Sequence, residues 1–186
     1  MIQTGTSPIT VLQVLPALES GGVERGTIDI ALALQANNDV ALVASSGGTL
    51  VSELSKRGTL HLALPLQSKN PILMRQNAKA LVRIIQEHKV SIVHARSRAP
   101  AWSAYWAAAR TNTPFMTTFH GRYGHQNWAK RHYNSVMLKG DTTIAVSNYI
   151  ADHIRHTYPQ HEAKLRIISR GIDPNYFDPE QVSEQR

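Results

Sequence analysis

The chain has 186 residues, 42% of them hydrophobic, and a formal charge of +7 with a pI near 9.9; this allows one globular domain with a sizeable core and leaves little room for two. No cysteine is present, which excludes disulfides and thiolate metal sites and fits a reducing compartment. No basic residue precedes the first apolar run and no stretch of roughly 18 apolar residues occurs, so neither a secretion signal nor a membrane span is read.

The charge is unevenly spread. Between Lys56 and Lys139 stand fourteen Lys or Arg and a single acid, Glu87. Such a segment attracts polyanions, whether phosphorylated glycans, anionic lipid headgroups or nucleic acid; a solvated surface that aids solubility is the plainer reading.

Apolar runs alternate with helical periodicity along the chain. Residues 9–15 form a β-rich run, followed by the glycines of "LESGGVERG" and a helix over 23–35 in which Val23, Ile28, Ala31 and Leu32 approximate one face. A strand over 39–46 leads to a short helix stopped by Gly58, and a third strand over 60–66 follows. The longest helix, 71–89, opens on Pro71 and ends in basic residues suited to its dipole. Residues 90–95 are strand four. An alanine-rich helix over 99–112 presents Ala101, Tyr105 and Ala108 or Ala109 to a sheet, and Pro114 introduces strand five. A helix over 127–140 closes at Gly140, strand six covers 141–147, Ser147 caps a helix over 148–158, and strand seven covers 164–171. Strands without strict alternation, separated by helices, imply a doubly wound α/β domain with a parallel, Rossmann-like sheet. Residues 1–8 and roughly the last dozen are expected to be loosely held.

Ligand crevices in such sheets form at the carboxyl ends of the strands, near the point where strand order reverses. The exits carry Gly21 and Gly22, Ser45 to Gly48, His94 to Arg98, His120 to Arg122, Ser147, and Arg170 with Gly171. Glycine, histidine and arginine are the residue types that hold phosphates and sugars. A dinucleotide fingerprint fails on spacing, with glycines at 21, 22 and 26, and on the missing acid after strand two; a P-loop fails because "GGVERGT" has no lysine.

Together "LPALESGGVERG", "TTFHGR", "AVSNYIADHI" and "RIISRGIDPNYFDP" resemble the N-terminal half of the GT-B glycosyltransferases of family four, retaining sugar transferases, with the likeness strongest to bacterial enzymes that build lipopolysaccharide cores. It runs from about Ile9 to Pro179. The resemblance implies sugar transfer from a nucleotide-sugar donor to a glycan or lipid-linked acceptor, with no metal or other cofactor. Residues 9–171 would be the acceptor-side domain and 172–186 the start of a linker to a donor-binding domain. That C-terminal domain would lie beyond Arg186, so this half alone is expected to be inactive.

By the same resemblance His120 is the catalytic candidate, beside the transferred sugar, where its ring can hydrogen-bond a hydroxyl and its backbone can face developing positive charge. Gly21 and Gly22 would let the loop approach the donor diphosphate and the acceptor. Gly121 would turn the backbone away; Arg122 would hold a phosphate or be solvated. Arg98 and Gly171 join the substrate-binding set from their strand exits. Glu24 and Arg25 lie in the first turn of the first helix, where Glu24 suits the dipole. Ser147 is a cap first and a ligand contact second. Family members often have Pro-Asn-Gly where this chain has Ser169-Arg170-Gly171; Arg170 either adds a phosphate contact or faces water.

The histidine sets 120, 125, 132 and 153, 156, 161 lack metal-ligand spacing. Arg75, Lys79 and Arg83 stripe one helix, and Trp102, Trp106, Tyr123 and Trp128 are near in sequence. That combination suits a cytoplasmic protein resting on the inner face of an anionic membrane, where lipid-linked acceptors reside. No nucleic-acid recognition motif is found, so nucleic acid is not an expected partner. The alternative reading is a non-catalytic domain that binds a polyanion or a protein partner.

Overall fold

The computed structural model describes residues 7–124 and 127–171. Seven strands, β1 (Thr10–Val14), β2 (Val40–Ser45), β3 (Leu60–Ala63), β4 (Ile92–Ala95), β5 (Phe115–Phe119), β6 (Thr142–Ala145) and β7 (Leu165–Ile167), form one sheet in the order β3-β2-β1-β4-β5-β6-β7. Every pairing is parallel. Between them run α1 (Gly22–Ala36), α2 (Val51–Lys56), α3 (Pro71–Glu87), α4 (Arg98–Thr111), α5 (Trp128–Asn134) and α6 (Asn148–Thr157). This is the expected doubly wound α/β domain. No described helix is long and apolar enough to cross a membrane.

Strand order reverses at β1, which pairs with β2 through Val11–Ala41 and with β4 through Val11–Ile92. Successive side chains of β1 therefore serve two layers. Leu12 and Val14 enter the main core with α3, α4 and α6, whereas Leu15 joins a smaller cluster with Ile28, Ala31 and Leu54 under α1 and α2. Gln13 shares the α1 side; its buried amide donates to the Thr27 carbonyl at 3.0 Å. Alanines 101, 104, 107 and 108 are buried on α4, and small side chains at helical spacing let α3 pack closely there.

Local signals explain the helix ends. Asn70 caps α3 by accepting from the Ile72 amide at 2.9 Å, with Pro71 at the first position. That helix stops at Glu87, and Lys89 adopts a positive φ of 50°, so no basic residue falls in its last turn. The expected helix over 127–140 is two pieces: α5 and a 3-10 turn over Ser135–Leu138. There the Thr117 and Thr143 hydroxyls both donate to the Met137 carbonyl, and Val136, Met137 and Leu138 are buried. A second 3-10 segment, Pro159–Lys164, has no counterpart in the sequence reading. The expectations for residues 1–6 and 172–186 lie outside the described residues.

Candidate active site

The site begins with a braced loop. Between β1 and α1 the backbone is tied to the loop after β2: Ser46 N–H donates to the Pro16 carbonyl (3.0 Å), Leu18 N–H to Gly47 (2.7 Å), and Leu50 N–H to Leu18 (2.9 Å). Gly48 lies so close to the Leu18 backbone that a Cβ would collide with it. The "SSGG" exit thus acts as a support for the β1–α1 loop.

That loop delivers Gly21 to the start of α1. Its φ of 178° is extended backbone, open to any residue, so conformation does not require a glycine here; a side chain would instead have to displace the neighbouring flexible side-chain ends. The Glu24 carboxylate folds onto Gly21 where a Cβ would stand, and at Gly22 a Cβ would lie 2.6 Å from Nη1 of Arg170. No side chain caps α1, and its first helical bond runs from the Arg25 amide to the Gly21 carbonyl at 2.9 Å. The amides before it have no helical partner and carry the positive end of the helix dipole.

Arg170 joins this turn to His120. The guanidinium that packs on Gly22 also places Nη2 2.7 Å from His120 Nδ1. The glycine turn and the imidazole, distant in sequence, share one rim of the sheet. Beneath them lies Arg96, only 4% exposed, whose Nη1 donates to Gln13 Oε1 at 3.3 Å and whose Nη2 is 3.1 Å from where a Cβ on Gly26 would be. His94 is buried beside it and shares a 2.7 Å hydrogen bond with Thr118.

Positive charge dominates the electrostatics. Burial, then the charges of Arg96 and Arg170, push the His120 imidazole down to about 3. Burial followed by the Arg96 charge also holds His94 well below the ordinary histidine range. Arg96 is lowered to about 10, first by burial and then by Arg170, with Asp29 and Glu24 opposing. Among the described residues, the buried atoms His94 Nδ1, Arg96 Nε and His120 Nε2 have no hydrogen-bond partner. Orphaned buried donors are costly, and a ligand oxygen or water would satisfy them. Two neutral imidazoles, two guanidiniums and a helix start can hold an anionic group and donate to sugar hydroxyls.

Other expected residues lie around this centre with partners of their own. Arg25 pairs with Glu53 on α2 at 2.7 Å. Arg122 donates to the Tyr149 hydroxyl at 3.1 Å. Ser147 caps α6, accepting from the Ile150 amide at 3.3 Å. Gly121 and Gly171 face open space. Arg98 donates to Asn134 Oδ1 at 3.0 Å and lies over the Tyr123 ring at 4.2 Å. It lines a cavity of about 610 Å³ with Lys69, Ser97 and Tyr133, at the start of α4. Among the described residues no histidine and acidic side chains are grouped to hold a metal ion; His125 lies outside them.

The sequence reading names the exit His94 to Arg98 but carries only Arg98 into the binding set, and it does not single out Gln13. Period-two alternation is the signal that finds them: Val93 and Ala95 enter the main core, so His94 and Arg96 face the α1 side, as Gln13 does.

The model of the family described as Glycosyltransferase Family 4 matches residues 20–176 of this sequence. The chain belongs to that family. Among solved structures, a glycosyltransferase from Rickettsia africae ESF-5 is 47% identical over 96% of this chain, with a TM-score of 0.84, and the match takes up 47% of its own length. HepE from Anabaena, solved with UDP and glucose, is 18% identical over 90% of this chain and 46% of its own, with a TM-score of 0.72. MurG from Acinetobacter baumannii is 14% identical over 95% and 50%, at a TM-score of 0.65. The family-four chain thus spans about half the length of these structures. Its sheet is that of the N-terminal half of GT-B glycosyltransferases. A search of curated proteins finds no match.

Proposed function

We propose that this chain is the acceptor-side half of a retaining glycosyltransferase that moves a sugar from a nucleotide-sugar to a glycan or lipid-linked acceptor, in cell-envelope or lipopolysaccharide synthesis. The observation that carries this reading is the single guanidinium of Arg170, which touches both Gly22 and His120 and so sets the glycine turn and the imidazole on one rim. HepE, solved with UDP-glucose, supports a nucleotide-sugar as the donor.

In this proposal the α1 amides and the two guanidiniums face the donor diphosphate, and His120, neutral across the physiological range, donates a hydrogen bond to the transferred sugar. The cavity beside Arg98 holds the acceptor. The donor-binding half completes the pocket, no metal is needed, and the working location is the cytoplasmic face of an anionic membrane.

The test is sugar transfer by the chain joined to a donor-binding half, with His120→Ala beside it. The expected result is a loss of about a hundredfold in kcat, the scale of one removed transition-state donor. Equal turnover in the variant and the parent would overturn the reading.

A further inference from the structure

We propose that Arg170 is a positioning residue that holds the His120 imidazole in its Nε2–H tautomer, the guanidinium being wedged between that ring and Gly22. This rests on the sugar-transfer reading only for its consequence; the tautomer itself is a property of the chain.

The donor inventory of the two groups carries the inference. A guanidinium has five N–H donors, no acceptor, and does not lose a proton in proteins. The 2.7 Å contact between Arg170 Nη2 and His120 Nδ1 is therefore a bond in which arginine donates and Nδ1 offers its lone pair. A neutral imidazole carries one proton, so that proton is on Nε2. Protonating Nδ1 would set two N–H groups against each other at that distance, in a ring already beside the Arg96 charge, and the depressed proton affinity of His120 agrees with this. The ring is consequently a donor at one nitrogen and spoken for at the other. It cannot serve as a base through Nδ1 while Arg170 is in place.

Gly22 supplies the other jaw. A Cβ there would stand 2.6 Å from Nη1 of the same guanidinium, so a side chain at position 22 would displace Arg170 from the ring. Among the described residues Arg170 has no ion-pair partner. It reaches both the ring and the helix start. Arg170 thereby gives this chain a charged lock on its histidine.

Nitrogen-15 NMR of the histidine rings in this chain, with the His120 signals identified by their loss in His120→Gln, reads the tautomer directly. In the parent, Nδ1 should be the unprotonated nitrogen, with the Nε2–H form favoured roughly tenfold or more, the bias of a hydrogen bond to a charged donor. Arg170→Met, which cannot donate, should let the two tautomers mix and raise the pH at which the ring protonates. Arg170→Lys, also a donor-only cation, should restore the bias. Gly22→Ala should mix the tautomers while leaving arginine in the chain, and backbone spectra would verify that each variant is folded. A protonated Nδ1 in the parent, or an unchanged tautomer ratio in both Arg170→Met and Gly22→Ala, would overturn the proposal. Since these spectra are taken without sugar transfer, failure of the sugar-transfer reading would leave this result standing, and the reverse.

Discussion

At the residue scale, His120 and His94 make the chain sensitive to mild acid. Both are depressed in the folded state, His120 to about 3 and His94 well below the ordinary value of 6.5, with burial the largest cause. Well above pH 6.5 neither the folded nor the unfolded imidazole binds a proton, so these groups do not affect stability there. As pH falls below 6.5 the unfolded rings protonate and the folded ones do not, so stability is lost progressively until the folded values are reached. For the half-buried His120 this amounts to about 1 kcal/mol per pH unit after allowance for solvent screening. Urea midpoints should therefore fall between pH 7 and pH 5, before carboxylates titrate, and fall less steeply in His120→Asn. A slope identical in the variant would contradict the depressed proton affinity of this ring. Its place at a strand exit and the family resemblance marked His120 as a candidate, whereas its neutral state depends first on burial and then on Arg96 and Arg170, which approach it only in the fold.

At the scale of elements, two glycines at positive φ separate conformation from space. Gly58, the residue after the C-cap of α2, has φ +79° and open space where a Cβ would go. Gly58→Ala should cost about 1 kcal/mol, the penalty for a left-handed alanine alone. Gly48 has φ +139° and a Cβ there would meet the Leu18 backbone, which cannot swing aside. Gly48→Ala should cost at least about 2 kcal/mol and loosen the β1–α1 loop, because both penalties apply. Denaturant midpoints of the two variants check the ordering, and hydrogen exchange at the Leu18 and Leu50 amides reads the loop. Gly58 was legible as a helix stop in the sequence. The role of Gly48 was not, because its partner lies on another loop. The 127–140 segment failed similarly: its pattern is helical, yet Val136, Met137 and Leu138 are buried against the core and the Met137 carbonyl is held by hydroxyls of two strands, contacts no local pattern records.

Across the whole molecule, the basic excess gains a direction. On α3, Met74, Ala78, Leu81 and Ile85 are buried, while Arg75, Lys79 and Arg83 are exposed on the other side. Of the aromatics near in sequence, Trp102 packs against the core and donates to the Tyr133 carbonyl at 3.1 Å, whereas Trp128 is 81% exposed. On the proposed membrane reading, the exposed groups that could face a bilayer are the α3 stripe and Trp128, not Trp102. Each basic residue near an anionic surface contributes about 1 kcal/mol. Replacing all three by glutamine should weaken co-sedimentation with anionic vesicles roughly a hundredfold at low salt. Absence of binding by the parent chain at low salt would remove the membrane reading, and steeply salt-dependent binding to DNA with indifference to vesicles would favour a nucleic-acid role.

The order of strands and helices, the parallel sheet and the positions of the strand exits were decided by the sequence itself, since each follows from periodicity and punctuation within a dozen or so neighbouring residues. Tertiary structure alone decided which exit residues meet. Sheet register puts His94 and Arg96 on the α1 side and leaves Arg98 to the α4 cavity; the crossover from β6 through α6 to β7 brings Arg170 back between Gly22 and His120. Those contacts join residues tens to more than a hundred positions apart, and no local pattern records them, because the distances are set by how the layers pack.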